Sequence, residues 1–242
     1  MKREYWIVLI VYIGMQLSSL LGIPGTTFLF GYLGMDQTLV VPYWLIFSFS
    51  IALVIILFIL RREMQSEKTR LNERGSGFAG SAVWAVFGVF LALFAQATAA
   101  NIERFLGVEM GSENTQQIMG IIESFPLAIL VSSIIGPILE EIIFRKIIFG
   151  SLHKRFNFFI SALISSVIFA LAHMEPQHVI LYSAMGFTFA FLYVKTKHIL
   201  VPIFAHVAMN TLVVVMQTVY KDEIEKLMRE AEAIQNFIGG FL

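Results

Sequence analysis

Apolar residues run along this chain in blocks of about twenty, parted by short polar or turn-forming stretches, which is the spacing of membrane-crossing helices. Seven such blocks are read, at 5–23, 39–60, 79–100, 124–152, 158–174, 178–195 and 199–219. An apolar piece around Thr27–Leu33 is too brief to cross and is expected to lie in the interface. Gly22, Pro24, Pro42, Pro176 and Pro202 fall near the proposed ends, as helix boundaries would place them. Tyr5-Trp6 and Tyr43-Trp44 suit the aromatic belt at a membrane surface. The pattern predicts an all-α, polytopic integral membrane bundle of about seven transmembrane helices. Residues 1–220 form one transmembrane domain. In 221–242, Ile224, Leu227, Met228, Ala231, Ile234 and Ile238 recur at helical spacing among charges, which predicts an amphipathic helix lying on the membrane.

Composition agrees. Hydrophobic residues make up 57% and charged residues 14%, where a soluble domain carries about 25% charged. The formal net charge is zero, which gives no footprint for nucleic acid. There is no cysteine, so disulfides, thiolate ligands and a cysteine nucleophile are excluded. The basic residues set an orientation. With the N-terminus cytoplasmic, inside segments hold eleven Lys and Arg and outside segments four, with Arg145 and Lys146 uncounted inside the fourth block. That asymmetry predicts N-terminus in and C-terminus out. The polar stretch Arg61–Gly77 carries both signs and is expected to be a solvated connector.

Ionisable side chains inside a bilayer are costly and mark functional sites. Three patterns place them at helical spacing: Glu140-Glu141-x-x-x-Arg145, Phe169-x-x-x-His173 and His206-x-x-x-Asn210. Arg145 lies one turn after Glu141, so those two can pair as a structural ion pair. Glu140 points about 100° away and is left without a local partner. A carboxyl group in low dielectric favours its neutral form unless a charge compensates, which suits general acid–base work. His173 closes an apolar run, with Phe169 one turn earlier on the same face. His206 and Asn210 share another face. By helix rise, Glu140 lies about 20 Å, His173 about 21 Å, His206 about 13 Å and Asn210 about 20 Å from the cytoplasmic side. The groups therefore reach similar depth on separate helices, as one intramembrane site entered through a watery cavity would require. Glu175, Gln177 and His178 follow closely and are expected to form an ordinary polar turn.

Elimination narrows the chemistry. Asp occurs only at Asp36 and Asp222, outside the spans, which excludes a paired-aspartate intramembrane protease. No His-Glu-x-x-His helix and no Gly-x-Ser-x-Gly elbow is present. What remains is water activated by Glu140 with help from His173, and an oxyanion met by His206 and Asn210. A second arrangement, zinc held by Glu140, His173 and His206, uses the same residues, since two imidazoles and a carboxylate with one open position form a catalytic zinc set.

In this order, within membrane helices, the three motifs resemble those of the CPBP family, the CAAX proteases and bacteriocin-processing enzymes also called the Abi family. Glu140, Glu141, Arg145, Phe169, His173, His206 and Asn210 match its pattern residue by residue. The likeness covers roughly 125–218, the motif-bearing core. It implies an intramembrane endopeptidase of a bacterial cell membrane, acting on a membrane-associated peptide or protein. It also implies water activation by the first Glu and the second-motif His, and an oxyanion hole from the third-motif His and Asn. No cofactor is expected to be required, with zinc as the alternative. The competing function is a non-catalytic membrane scaffold or bacteriocin-immunity protein of the same fold.

Overall fold

The computed structural model describes residues 1–73, 77–109 and 111–220 together with Glu223, Lys226 and Glu230, without the side chains of 67–79. The apolar stripe expected between Ile224 and Ile238 lies outside the described residues. Those described form α1 (Arg3–Leu33), α2 (Val40–Glu73), α3 (Gly77–Phe105), α4 (Glu113–Ser124), a composite helix α5 (Pro126–Leu152), α6 (Phe158–Ala172), α7 (Val179–Thr196) and α8 (Leu200–Val219), with no strand among them. Six of these helices are long and apolar enough to cross a membrane. The remaining apolar helix, α6, has 15 residues and rises only about 22 Å. The chain is an all-α integral membrane bundle.

Two expectations about helix ends are corrected. Residues 27–33 are not a separate interfacial piece, because α1 continues unbroken through Pro24 to Leu33. Proline removes one helical hydrogen bond, and the surrounding turns carry the helix past it. Gly22 is a packing position rather than an end, since a Cβ there would stand 1.9 Å from the Trp44 ring of α2. The helix stops at Gly34, whose left-handed φ of 68° closes the last turn. The second correction concerns Arg61–Gly77. Helix α2 runs on to Glu73 and α3 starts at Gly77, so most of this polar stretch is helical. Its Arg, Glu, Gln, Lys and Leu residues are good helix formers, and charge alone did not break the helix.

Helix α5 is the axis of the bundle. Of its most apolar stretch 56% is buried, against 17% in each of α1, α2 and α3. It touches α1, α2, α6, α7 and α8, while α3 packs on α7 and α8, and α6 on α7. Closeness at the α6–α7 crossing depends on Gly186, where a Cβ would lie 2.5 Å from Ser166 Oγ. Small residues allow membrane helices to approach in this way.

The backbone of α5 is wide in two places. Leu130–Ile135 and Glu141–Phe149 are π-helical, on either side of an α-helical Gly136–Glu140. The Gly136 N–H donates to Val131 O, five residues back, and a Cβ on Gly136 would lie 2.9 Å from that same oxygen. Pro137 has no N–H to offer Ser132. Ser132 O therefore lacks a helical donor and accepts from Asn210 Nδ2 of α8 at 3.4 Å. In the second π segment Phe144 O accepts from Ser165 Oγ of α6 at 2.8 Å. Side chains of neighbouring helices thus satisfy the irregular backbone, as low dielectric demands.

Candidate active site

Glu141, wholly buried in the second π segment, organises the site. Its Oε2 lies 3.2 Å from Arg145 Nε, the pair expected from the spacing. Its Oε1 takes a partner the spacing does not reveal, His206 Nδ1 at 2.9 Å. Arg145 is buried too, with its guanidinium 4.3 Å from the Phe169 ring and 5.3 Å from the Phe189 ring. Its terminal nitrogens have no hydrogen-bond acceptor. The aromatic faces are their neighbours instead, and a desolvated cation on such faces gains about 2 kcal/mol. Phe189 also stacks on His206, with centroids 4.7 Å apart and planes 20° apart. One unanticipated phenylalanine therefore flanks both basic groups.

Glu140 occupies the neighbouring face, with 23% of its side chain exposed. Its Oε2 is 3.8 Å from His206 Nε2. That is too long for a hydrogen bond, so Nε2 is not tied to Glu140. No hydrogen bond or ion pair joins Glu140 to His173. Phe169 instead links the two histidines, its ring lying 4.5 Å from the His173 ring and 6.2 Å from the His206 ring.

His173 caps the C-terminus of α6. Its Nδ1 faces Phe169 O at 2.8 Å. A carbonyl can only accept, so Nδ1 carries the proton and Nε2 of the neutral ring is left with its lone pair. Asn210, one turn beyond His206 on α8, spends one N–H on Ser132 O and retains a second.

His173, His206, Asn210 and Ser132 share the wall of a cavity of about 450 Å³. Its other walls come from the far ends of α3 and α8, from α4 and from the segment before it, including Gln96, Ser112, Thr115 and Gln217. The cavity lies toward the end of the bundle where α3 and α8 finish, opposite the N-terminus. Glu140 is not among its lining residues, but its carboxylate lies 3.8 Å from His206, which is. Among the described residues no three His, Asp or Glu side chains gather as a metal-binding group. Glu140, His173 and His206 do not fit a zinc held by all three.

The turn after His173 departs from expectation. Gln177 is exposed, but Glu175 and His178 are buried. Glu175 accepts from Tyr182 Oη at 2.6 Å, Ser112 Oγ at 2.7 Å and Asn114 N at 3.0 Å. His178 lies between Glu103 Oε2 at 2.8 Å and Gly111 O at 3.0 Å, while Glu103 Oε1 accepts from Leu181 N at 2.8 Å. Burial alone would raise the Glu175 carboxyl. The hydrogen bonds from Tyr182, Asn114 and Ser112, with the charge of His178, outweigh it and hold Glu175 below the usual carboxylate value. The available signal was Glu103, an acid at the far end of an apolar helix.

Taken together, a helical membrane bundle with two histidines and an asparagine on the wall of one cavity, and two carboxylates next to one of those histidines, has the make-up of an intramembrane hydrolase. Comparison with known proteins agrees. The family model for Type II CAAX prenyl endopeptidase, Rce1-like, matches residues 122–212. YdiL of Bacillus subtilis (strain 168), assigned as a membrane peptidase, is 47% identical over 99% of both chains. MroQ of Staphylococcus aureus (strain USA300), a membrane-embedded CAAX protease, is 32% identical over 94% of both chains. No solved structure matches. The chain belongs to the CPBP family of intramembrane proteases.

Proposed function

We propose that the protein is an endopeptidase that cleaves a membrane-associated peptide at this cavity, with Glu140 and His173 activating water and His206 and Asn210 binding the oxyanion. The observation that carries the reading is the unequal commitment of the two nitrogens of His206. Nδ1 is spent on Glu141, while Nε2 makes no hydrogen bond and lies 3.8 Å from Glu140 Oε2, and His206 itself lines the cavity.

The steps follow from the donors and acceptors. Water donates one proton to Glu140 and is oriented by the Nε2 lone pair of His173. Its oxygen attacks the carbonyl carbon, and the carbonyl π pair moves onto oxygen. That oxyanion lies against His206 Nε2–H and the second N–H of Asn210. Donation from both nitrogens of His206 requires a hydrogen on each, one directed at Glu141 and one at the oxyanion. Glu140 returns its proton to the departing amine as the C–N bond breaks. Glu141 orients His206 much as the aspartate orients histidine in a serine-protease triad. Arg145 neutralises Glu141.

Glu140→Gln removes the proton acceptor and leaves the shape. Purified, folded Glu140→Gln protein is expected to lose cleavage by about 10²-fold or more. Comparing membrane peptides released by cells carrying wild type and Glu140→Gln identifies the substrate. Unchanged release rejects the enzyme reading in favour of a scaffold or immunity role. The reaction is proposed without a resident metal. Activity is expected to survive a chelator, and zinc at one atom per chain with chelator-sensitive, zinc-restored activity overturns that part.

A further inference from the structure

We propose that Tyr182 is a positioning residue for His173, with Glu175 as its anchor. The inference rests on the reading of His173 given above. The Tyr182 ring stacks on the His173 imidazole, with centroids 4.0 Å apart and planes 26° apart. The Phe169 ring packs beside the imidazole at 4.5 Å, steeply inclined to it and 6.4 Å from the Tyr182 ring. Stacking fixes the imidazole plane, and the Nδ1 contact with Phe169 O fixes rotation within that plane. Together they aim the unprotonated Nε2.

Tyr182 is itself held at its far end. Its hydroxyl donates to Glu175 Oε2 at 2.6 Å, and Glu175 is two residues after His173 in the chain. The constraint therefore closes on itself, from His173 through the backbone to Glu175, to the Tyr182 hydroxyl, and through the ring back to His173. Between His173 and Glu175 stands Met174, exposed and left-handed at φ 59°. A non-glycine residue persists there only when its surroundings hold it. A staple for the outer loop alone would need no aromatic ring on His173, because Glu175 already grips Ser112 Oγ and Asn114 N without it.

The test uses the full chain in detergent micelles with isotope-labelled histidine, whose five ring signals are assigned by His→Gln variants. Tyr182→Leu is expected to move the His173 ring protons downfield, because the stacked ring current is lost, and to admit the second tautomer. His206 and His153 are expected to stay in place. Tyr182→Phe, which keeps the stacked ring but loses the bond to Glu175, is expected to give an intermediate displacement, and Glu175→Ala, which removes the same anchor, a similar one. Unchanged His173 signals in Tyr182→Leu overturn the proposal. A displacement shared by all five histidines also overturns it, since that marks general loss of packing. Should Tyr182→Leu not fold, Tyr182→Phe decides by itself, with an unmoved His173 as the refuting result. Because the readout is the imidazole and not cleavage, a His173 that responds in a chain without peptidase activity upholds the positioning and removes the function.

Discussion

Two buried acid–histidine pairs, built to nearly the same distance, differ in how fully their polar atoms are engaged. Glu141 meets His206 at 2.9 Å and Glu103 meets His178 at 2.8 Å. In the second pair every polar atom is engaged, with Gly111 O on the other nitrogen of His178 and Leu181 N on the other oxygen of Glu103. In the first pair His206 Nε2 has no hydrogen-bond partner within the protein. A saturated pair can only hold parts together. A pair with one uncommitted atom beside a cavity can bind or move something. Proximity of acid and base does not separate structure from chemistry here, but the accounting of each nitrogen does.

The largest break in that comparison comes from removing each histidine. His206→Ala is expected to lower cleavage by the folded protein about 10²–10³-fold, the usual loss for an oxyanion donor. His178→Gln is expected to lose far less cleavage and instead to lower the unfolding midpoint, since Gln cannot donate in both directions. Cleavage assays beside thermal unfolding in micelles check the contrast, and equal losses of cleavage would erase it. Removing the acids follows. Glu141→Ala leaves the Arg145 cation buried and unpaired, a change that costs about 3–5 kcal/mol. Glu103→Ala leaves His178 and the Leu181 N–H, costing about 1–3 kcal/mol, because histidine can shed its proton and arginine cannot. Denaturant titration in micelles is expected to rank the two in that order.

The smallest effect is the pH response of the outer network. Glu175 titrates below its unfolded value. Its contribution is therefore fully present above about pH 4.3, the ordinary glutamate value, and is lost as pH falls through the lower, folded value. The stability difference between wild type and Glu175→Gln should be flat near neutrality and shrink in acid. A difference that grows in acid would reverse the assignment.

How much of this was legible in the sequence follows from the solvent. In a membrane, polar residues stand out against an apolar background, so Glu140, Glu141, Arg145, His173, His206 and Asn210 were found by type and spacing alone. The pair Glu141–Arg145 was local and therefore readable. Glu141–His206 joins residues far apart in the chain, and nothing in either motif encodes it. The same distance hid the hold of Glu175 on Ser112 and of Glu103 on Leu181. The two π segments of α5 left no trace in a run apolar on nearly every side, where hydrophobic periodicity has no contrast. The link from Pro137 to Asn210 emerges only when each backbone donor is followed to its acceptor. Charge misled once, in Arg61–Gly77, where a polar stretch reads equally as a loop or as a solvent-facing helix.

The carbonyl of Ser132 has a consequence for how the chain is made. Helix α5 is synthesised with two polar groups that it cannot satisfy, the Ser132 oxygen beside Pro137 and one oxygen of Glu141. Both acceptors await the same late arrival, since Asn210 and His206 stand one turn apart on α8, the last membrane-crossing helix among the described residues. Until α8 inserts, those groups lie unmet in an apolar interior, a costly state. Insertion of α8 therefore completes the candidate site and satisfies both groups in one event.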